Sequence, residues 1–269
     1  MSDGNVFEVV GRGRTADVLD VGDGRVVKLL HEGRDGDALV LEAEKTRAAH
    51  RAGVPAPAVH GATTLDGRFG VIFDRVDGDL MLDRIRRRVW MVTAHARLLS
   101  EIHLRMHRHS SRDLPSCRER LAAKIEASDS LDAGTRRAAL DRLSRLPDGD
   151  AVLHGDFHPA NVILSPDGPV VIDWIDGSRG RPAADVARTL WLLSSATIPH
   201  GIPGRSFLVG YLGLFRRRYL AGYVRRSSLS LDEIDSWRLP VVAGRLSEGI
   251  DHETEAILTE LRRLTRRSS

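Results

Sequence analysis

Val152-Leu-His-Gly-Asp-Phe-His-Pro-Ala-Asn161, followed shortly by Val170-Val-Ile-Asp-Trp174, decides how this chain is read. The two stretches space two acids and an amide as phosphoryl transfer demands. Asp156 is able to take a proton from an attacking hydroxyl, Asn161 stands five residues on, and Asp173 closes the apolar run Val170 to Ile172, which reads as a short strand. Asn161 and Asp173 together suit a Mg²⁺ ion held against a nucleotide. Such a reaction asks the protein for in-line positioning, a base for the hydroxyl, and metal ions that neutralise charge on the phosphates.

HGDFHPAN and IDW resemble the catalytic and metal-binding loops of the aminoglycoside phosphotransferase family, small-molecule kinases related to choline kinases and distantly to protein kinases. His-Gly-Asp stands where protein kinases have His-Arg-Asp, and Ile-Asp-Trp where they have Asp-Phe-Gly. The resemblance implies Asp156 as catalytic base, Asn161 and Asp173 as Mg²⁺ ligands, and His154 as a group that orders the catalytic loop. It also implies an α+β, bilobal, protein-kinase-like fold, with a small β-rich N-lobe and a larger, mainly helical C-lobe.

That reading requires an upstream phosphate-covering loop and a lysine on a strand. Val10-Gly-Arg-Gly-Arg-Thr-Ala-Asp-Val18 supplies the first, with Gly11 and Gly13 free of a Cβ where the backbone turns toward phosphate oxygens and Ala16 in place of a third glycine. Lys28 supplies the second, ten residues beyond Val18 in the strand-like run Arg25-Val-Val-Lys-Leu-Leu30. The chain has three lysines, Lys28, Lys45 and Lys124, against thirty-seven arginines, so a lysine inside a strand marks a place for a compact ammonium. The helix expected from Ala38 to Ala52 offers Glu42 as its partner, with Glu44 the alternative, and Gly53 stops that helix. Two positions apart on a helix, only one of the pair faces Lys28.

Arg68 to Val76 reads as a strand leading to Asp77-Gly-Asp79. In the resemblance this is the inter-lobe linker, where backbone groups of Asp74 to Val76 bond adenine and Phe73 backs its pocket. Residues 1–77 are thus expected to form the nucleotide-binding N-lobe, and 78–269 the C-lobe with catalytic loop and acceptor site. Helices are expected at Val92 to His107, Cys117 to Ser128, Thr135 to Leu146, Ala183 to Leu193, Phe207 to Arg225 and Leu231 to Arg267, the last interrupted near Pro240.

With 269 residues, 42% of them hydrophobic, the chain is able to bury a sizeable core, and two unequal lobes suit that length. No run is long enough to span a membrane and no secretory signal opens the chain, so a soluble cytoplasmic protein is expected, monomer or homodimer, without a membrane partner. Cys117 is the single cysteine, which excludes an intramolecular disulfide. Basic clusters at Arg84 to Arg88, Arg216 to Arg218 and Leu261 to Arg267 are dispersed, lack aromatic interleaving and accompany a formal charge of only +3, so no nucleic-acid partner is expected. His103 and His107, four apart on one helix, lack the H-E-x-x-H pattern of a zinc site.

Asp185 resembles the brace acid of the family's Gly-Asp-Pro-x-x-Asp-Leu-Ala segment, although Arg181 replaces that segment's first acid. Asp176 either points into the cleft or caps a turn. A polycationic acceptor would need clustered carboxylates, for which Glu248, Asp251, Glu253 and Glu255 are candidates, while the basic C-terminus departs from that preference. The expectation is therefore an ATP- (or GTP-) and Mg²⁺-dependent phosphotransferase acting on a hydroxyl of a small molecule. Aminoglycoside-like antibiotics lead as acceptors, with Asp176, Glu248, Asp251 and Glu255 on the acceptor side. Macrolides, sugars, choline and peptide antibiotics are the alternatives, and a nucleotide-binding pseudokinase scaffold is the reading from another class.

Overall fold

The computed structural model describes residues 7–199 and 201–268, so the first six residues of the expected N-lobe lie outside it. The chain opens with β1 (Glu8–Arg12), β2 (Ala16–Gly22) and β3 (Arg25–Leu30), then α1 (Asp37–Arg51), β4 (Val59–Leu65) and β5 (Arg68–Asp74). These strands form one antiparallel sheet in the order β1-β2-β3-β5-β4. Its hairpins turn where the sequence carries left-handed residues, Asp23 and Gly24 after β2, Asp66 and Gly67 after β4. In β3, alternation sets Val26, Lys28 and Leu30 on the face turned to α1. There Leu30, Val71 and Phe73 pack with Leu39 and Ala43 as a small separate core.

Beyond Asp74 the chain becomes mainly helical. β6 (Asp79–Leu80) leads into α2 (Met81–Arg87), α3 (Val92–Met106), α4 (Cys117–Glu126) and α5 (Ala133–Arg145). Then come β7 (Ala151–Leu153), β8 (Val162–Ser165), β9 (Gly168–Val171) and β10 (Ser178–Gly180). Last are α6 (Pro182–Leu192), α7 (Arg205–Val224), α8 (Leu231–Ser236), α9 (Arg238–Leu246) and α10 (Asp251–Ser268). Ser116, Asp132 and Ser230 cap α4, α5 and α8 by accepting a backbone N–H three residues on. The long C-terminal helix breaks at Trp237 and again before Asp251, where Gly249 turns left-handed at φ +62. Pro240 itself lies inside the first turn of α9, where its missing N–H costs nothing.

The second, larger core joins α3, α6, α7 and α9 around Phe157 and Trp174, so the segment from His154 to Asn161 is anchored in packed interior while Gly155, Asp156 and His158 stay partly exposed. The fold is α+β and bilobal, a five-stranded sheet with one main helix against a helical body. Among the described residues no helix is long and apolar enough to cross a membrane.

Candidate active site

Strand β8 follows Asn161 directly and pairs with β9 so that Val162 opposes Val171. This hairpin brings Asn161 and Asp173 to the same end, with the Ile172 N–H donated to the Asn161 carbonyl at 3.0 Å. The Asn161 amide nitrogen turns the other way, to the Asp156 carbonyl at 2.9 Å and its Oδ2 at 3.4 Å. Asp173 holds φ +67, a left-handed conformation outside any hairpin turn, and such strain in a non-glycine residue concentrates at functional loops. Its carboxylate lies 3.5 Å from the Lys28 ammonium.

Lys28 donates to both Glu42 oxygens at 2.7 Å, which decides between Glu42 and Glu44. Burial alone would push the ammonium's pKa down, but the Glu42 and Asp173 carboxylates more than offset it and hold it above the usual range. Lys28 also opposes Val18 of the glycine-rich hairpin across β2 and β3. In that hairpin Gly13 donates to the Ala16 carbonyl at 2.8 Å, and a Cβ on Gly13 would stand 3.0 Å from the same oxygen. Gly11 faces Val18, where a Cβ would meet the Val18 Cβ at 3.4 Å. Neither glycine has a positive φ, so it is close approach of chains, rather than a left-handed turn, that these positions require.

The expected adenine contacts are narrower than the sequence implied. The Asp74 N–H is already donated to the Ala58 carbonyl at 2.9 Å and the Arg75 N–H to the Gly24 carbonyl at 2.8 Å, since both continue the ladder at the end of the interior strand β5. Val76 follows them in the connection, and Phe73 is buried in the small core behind it.

His154 is fully buried and does not reach the cleft. Its Nδ1 accepts the Asp156 N–H at 3.2 Å, its Nε2 lies 3.0 Å from the Ile172 carbonyl, and its ring meets Trp174 edge-on. It therefore orients the catalytic loop against the Ile-Asp-Trp loop instead of touching a reactant. Asp156 has His158 Nε2 at 3.4 Å and Arg188 at 3.6 Å. Burial would raise its pKa, but the hydrogen bond and charge of His158, then the Arg188 guanidinium, hold it well below the usual carboxylate range.

Asp185 is the hub beneath this loop. Its two oxygens accept the His154 N–H at 2.6 Å and the Gly155 N–H at 2.9 Å, and His103 and His107 Nε2 atoms approach at 3.1 and 3.2 Å. The opposite ring nitrogens meet Tyr219 and Tyr223 hydroxyls at 2.5 and 2.6 Å. Two histidines and a carboxylate within such reach have the composition of a metal site. Here every ring nitrogen is already spent on a hydrogen bond, and burial pushes His103 down to about 3, so it serves as a neutral N–H donor. His109 lies apart, bonded to Ala52.

Gly155 spans the gap between the catalytic loop and Asp176. It has φ +79, and a Cβ there would lie 2.5 Å from the Asp176 carbonyl oxygen. Gly155→Ala is therefore strained twice, and urea unfolding is expected to show a loss of about 2 kcal/mol or more. A variant as stable as the parent would refute this account of the loop.

The acceptor-side candidates divide. Asp176 turns its carboxylate to α4, where Arg120 and, at 3.0 Å, Lys124 take it. Glu248 is ringed by Lys124 at 3.1 Å, Arg188 at 2.9 Å and Arg245. Glu253 is buried and bound by Arg245 at 2.6 Å and by the Trp191 indole at 2.9 Å. Asp251 and Glu255 lie exposed on α10, with Glu255 near Arg216 and Arg238. The expected wall of free carboxylates is absent among the described residues, because arginines and a lysine neutralise the inward-facing members. Arg181 binds Glu233 at 2.5 Å, so it ties α6 to α8 rather than reaching the Ile172-Asp173-Trp174 loop.

Sequence reasoning passed over Arg188, Arg120, Lys124, Arg245 and His158. Arg188 carried a signal: three residues after Asp185, it shares that residue's helix face. Cys117, half-buried, has its thiol pushed up to about 12 by burial and is no nucleophile.

A strand lysine clamped by a helix glutamate, a glycine hairpin over it, and a loop-borne Asp-Asn pair joined to a second acid define a phosphotransferase of the kinase type. The chain belongs to the phosphotransferase enzyme family, whose model matches residues 6–228. Among solved structures, an aminoglycoside-3'-phosphotransferase of type VIII is 24% identical, with a TM-score of 0.56 over 87% of this chain and 92% of that one. The GDP and kanamycin complex of APH(2")-IIia is 17% identical, with a TM-score of 0.56 over 98% and 92%. Choline kinase from Cryptosporidium parvum Iowa II is 12% identical, with a TM-score of 0.53 over 97% and 88%. These likenesses show the fold. No curated protein matches the chain.

Proposed function

We propose that this protein transfers the γ-phosphoryl group of ATP to a hydroxyl of a small molecule, residues 1–77 serving as nucleotide lobe and 78–269 as catalytic and acceptor lobe. One observation carries the reading: Lys28 is held by Glu42 and lies 3.5 Å from Asp173, which the β8–β9 hairpin links through Asn161 to Asp156. Lys28 then contacts the α- and β-phosphates, the hairpin at Gly11 and Gly13 covers them, and the Val76 N–H takes the adenine edge. Asp156 takes the proton of the acceptor hydroxyl as its oxygen bonds to the γ-phosphorus, and the nucleoside diphosphate leaves.

Asn161 Oδ1 and Asp173 would hold Mg²⁺. The donor set fits, being hard oxygens, and the Asp173 side chain is 41% exposed. When bound, the ion supplies charge neutralisation on the β- and γ-phosphates. GDP in one neighbour keeps GTP as an alternative donor.

An aminoglycoside acceptor is supported by the kanamycin bound to that neighbour, but the inward-facing acids expected to match its ammonium groups, Asp176, Glu248 and Glu253, are already paired here. Macrolide, sugar, choline and peptide-antibiotic acceptors are alternatives of the same chemistry. A nucleotide-binding scaffold is disfavoured, because lysine, base and metal acid are all retained.

The test is nucleoside diphosphate release over a panel of hydroxylated acceptors, with Mg²⁺ supplied or chelated, in the parent and in Asp173→Ala. Acceptor-dependent release that chelation and Asp173→Ala both abolish is expected. Release that survives either treatment would overturn the metal assignment, and failure to bind ATP would overturn the whole reading.

A further inference from the structure

A recess beside the catalytic loop has chemistry that phosphoryl transfer alone does not use. It lies between α4, α6 and α9, has a cavity volume of about 50 Å³, room for a small anionic group, and has Gly155, the neighbour of Asp156, in its lining. Arg120 and Lys124 enter it from α4, Arg188 from α6 and Arg245 from α9, against Asp176 and Glu248. Asp185 also borders it, but its oxygens are spent on N–H donors from the loop and on His103 and His107.

Two of these cations have acids beyond the recess, Arg188 facing Asp156 at 3.6 Å and Arg245 facing Glu253, which leaves Arg120 and Lys124 with Asp176 and Glu248 alone. Asp176 serves Arg120 and Lys124, and Glu248 serves Lys124, Arg188 and Arg245. The inner pair has further partners, Arg188 the Gly155 carbonyl at 3.1 Å and Arg245 the Glu253 carboxylate, and each has only 8% of its side chain exposed. Arg120 and Lys124 are the open ones, 23% and 29% exposed, with a guanidinium and an ammonium that offer more donors than Asp176 and Glu248 absorb.

Lys45 adds to the positive side. It is buried, with its Nζ 2.5 Å from the Ile175 carbonyl and no carboxylate within ion-pair distance among the described residues. Burial and then the neighbouring Arg120 charge, with Lys124 contributing, push its pKa down to about 8. A polyamine entering here meets like charge, whereas an anion completes the pairing.

Resting on the phosphotransferase reading, we propose that this recess is the acceptor subsite and takes a hydroxylated molecule bearing an anionic oxygen group, a carboxylate or a phosphate ester, bound by Arg120 and Lys124 while its hydroxyl meets Asp156. Nucleotide binding uses the other side of the cleft, so the two readings fail separately.

The experiment uses the full chain saturated with Mg²⁺ and ADP, titrated calorimetrically with malonate, inorganic phosphate, kanamycin and choline. In parallel, ADP release from ATP is followed with D-glycerate, D-gluconate, glucose 6-phosphate, glycerol, glucose, kanamycin and choline. Binding of malonate, phosphate or both is expected, along with turnover confined to acid- or phosphate-bearing acceptors; malonate against phosphate separates the two anion sources. Arg120→Gln and Lys124→Gln should each weaken anion binding and raise the acceptor KM about tenfold or more, with ADP affinity held within about threefold and Lys124→Arg restoring most of the loss. Thermal melts identify any variant that fails to fold, and the parent titrations decide the matter without it. ADP binding without anion binding, preferential turnover of kanamycin, choline or neutral polyols, or folded Gln variants that bind anions normally would each overturn the anionic acceptor. Absence of ADP binding would instead remove the phosphotransferase reading on which it rests.

Discussion

Asp156→Asn is expected to lower kcat by about 10²-fold or more while nucleotide affinity stays near that of the parent. The amide keeps the size and most hydrogen bonds of the carboxylate, so the loop held by His154, Asn161 and Asp185 has no reason to move. What it loses is the ability to accept the hydroxyl proton. The parent's pH profile carries a second signature. Asp156 is held well below the ordinary carboxylate range, so it remains ionised from neutral pH down past 3.8, and its protonation gives no acid limb above that pH. Single-turnover kinetics and a separate nucleotide titration check both points. Near-normal turnover in the variant would rule out Asp156 as base.

Much of this site was legible because phosphoryl transfer constrains side-chain identity at short spacing. Asp156 and Asn161 sit on one loop, and Asp173 follows one hairpin later, so local chain geometry suffices to unite them. Lys28 and Glu42 were also readable, since strand alternation and helix phase fix which faces they present. The acceptor side was not legible for the opposite reason. The recess proposed for it is walled by α4, α6, α9 and Asp176, spread over more than a hundred residues of sequence, and the pairing of Glu248 depends on which cations those packings deliver. A locally acidic stretch such as Glu248 to Glu255 looks free in one dimension and proves paired in three. The linker from Asp74 to Val76 narrowed for a similar reason, because the ladder at the end of β5 claims the Asp74 and Arg75 N–H groups.

Asp185→Asn should cost about 3 kcal/mol or more in urea unfolding at neutral pH, the largest stability effect expected of a conservative change in this chain. The carboxylate accepts from two backbone N–H groups and two histidine N–H groups, all buried. An amide offers one acceptor oxygen and turns an NH₂ toward donors, so at least one buried group loses its partner and the His154-Gly155 segment must shift. That segment carries Asp156, so turnover falls with stability. Asp185 is held far below its ordinary value of 3.8, and burial, which alone would raise it, is outweighed by the histidine contacts. A depressed carboxylate contributes its stability fully above the unfolded value and loses it as pH falls toward the folded one. The difference between parent and variant should therefore be constant above about pH 5 and narrow below 3.8. A gap of under about 1 kcal/mol at neutral pH, or one that widens in acid, would show that this buried carboxylate does not hold the catalytic loop.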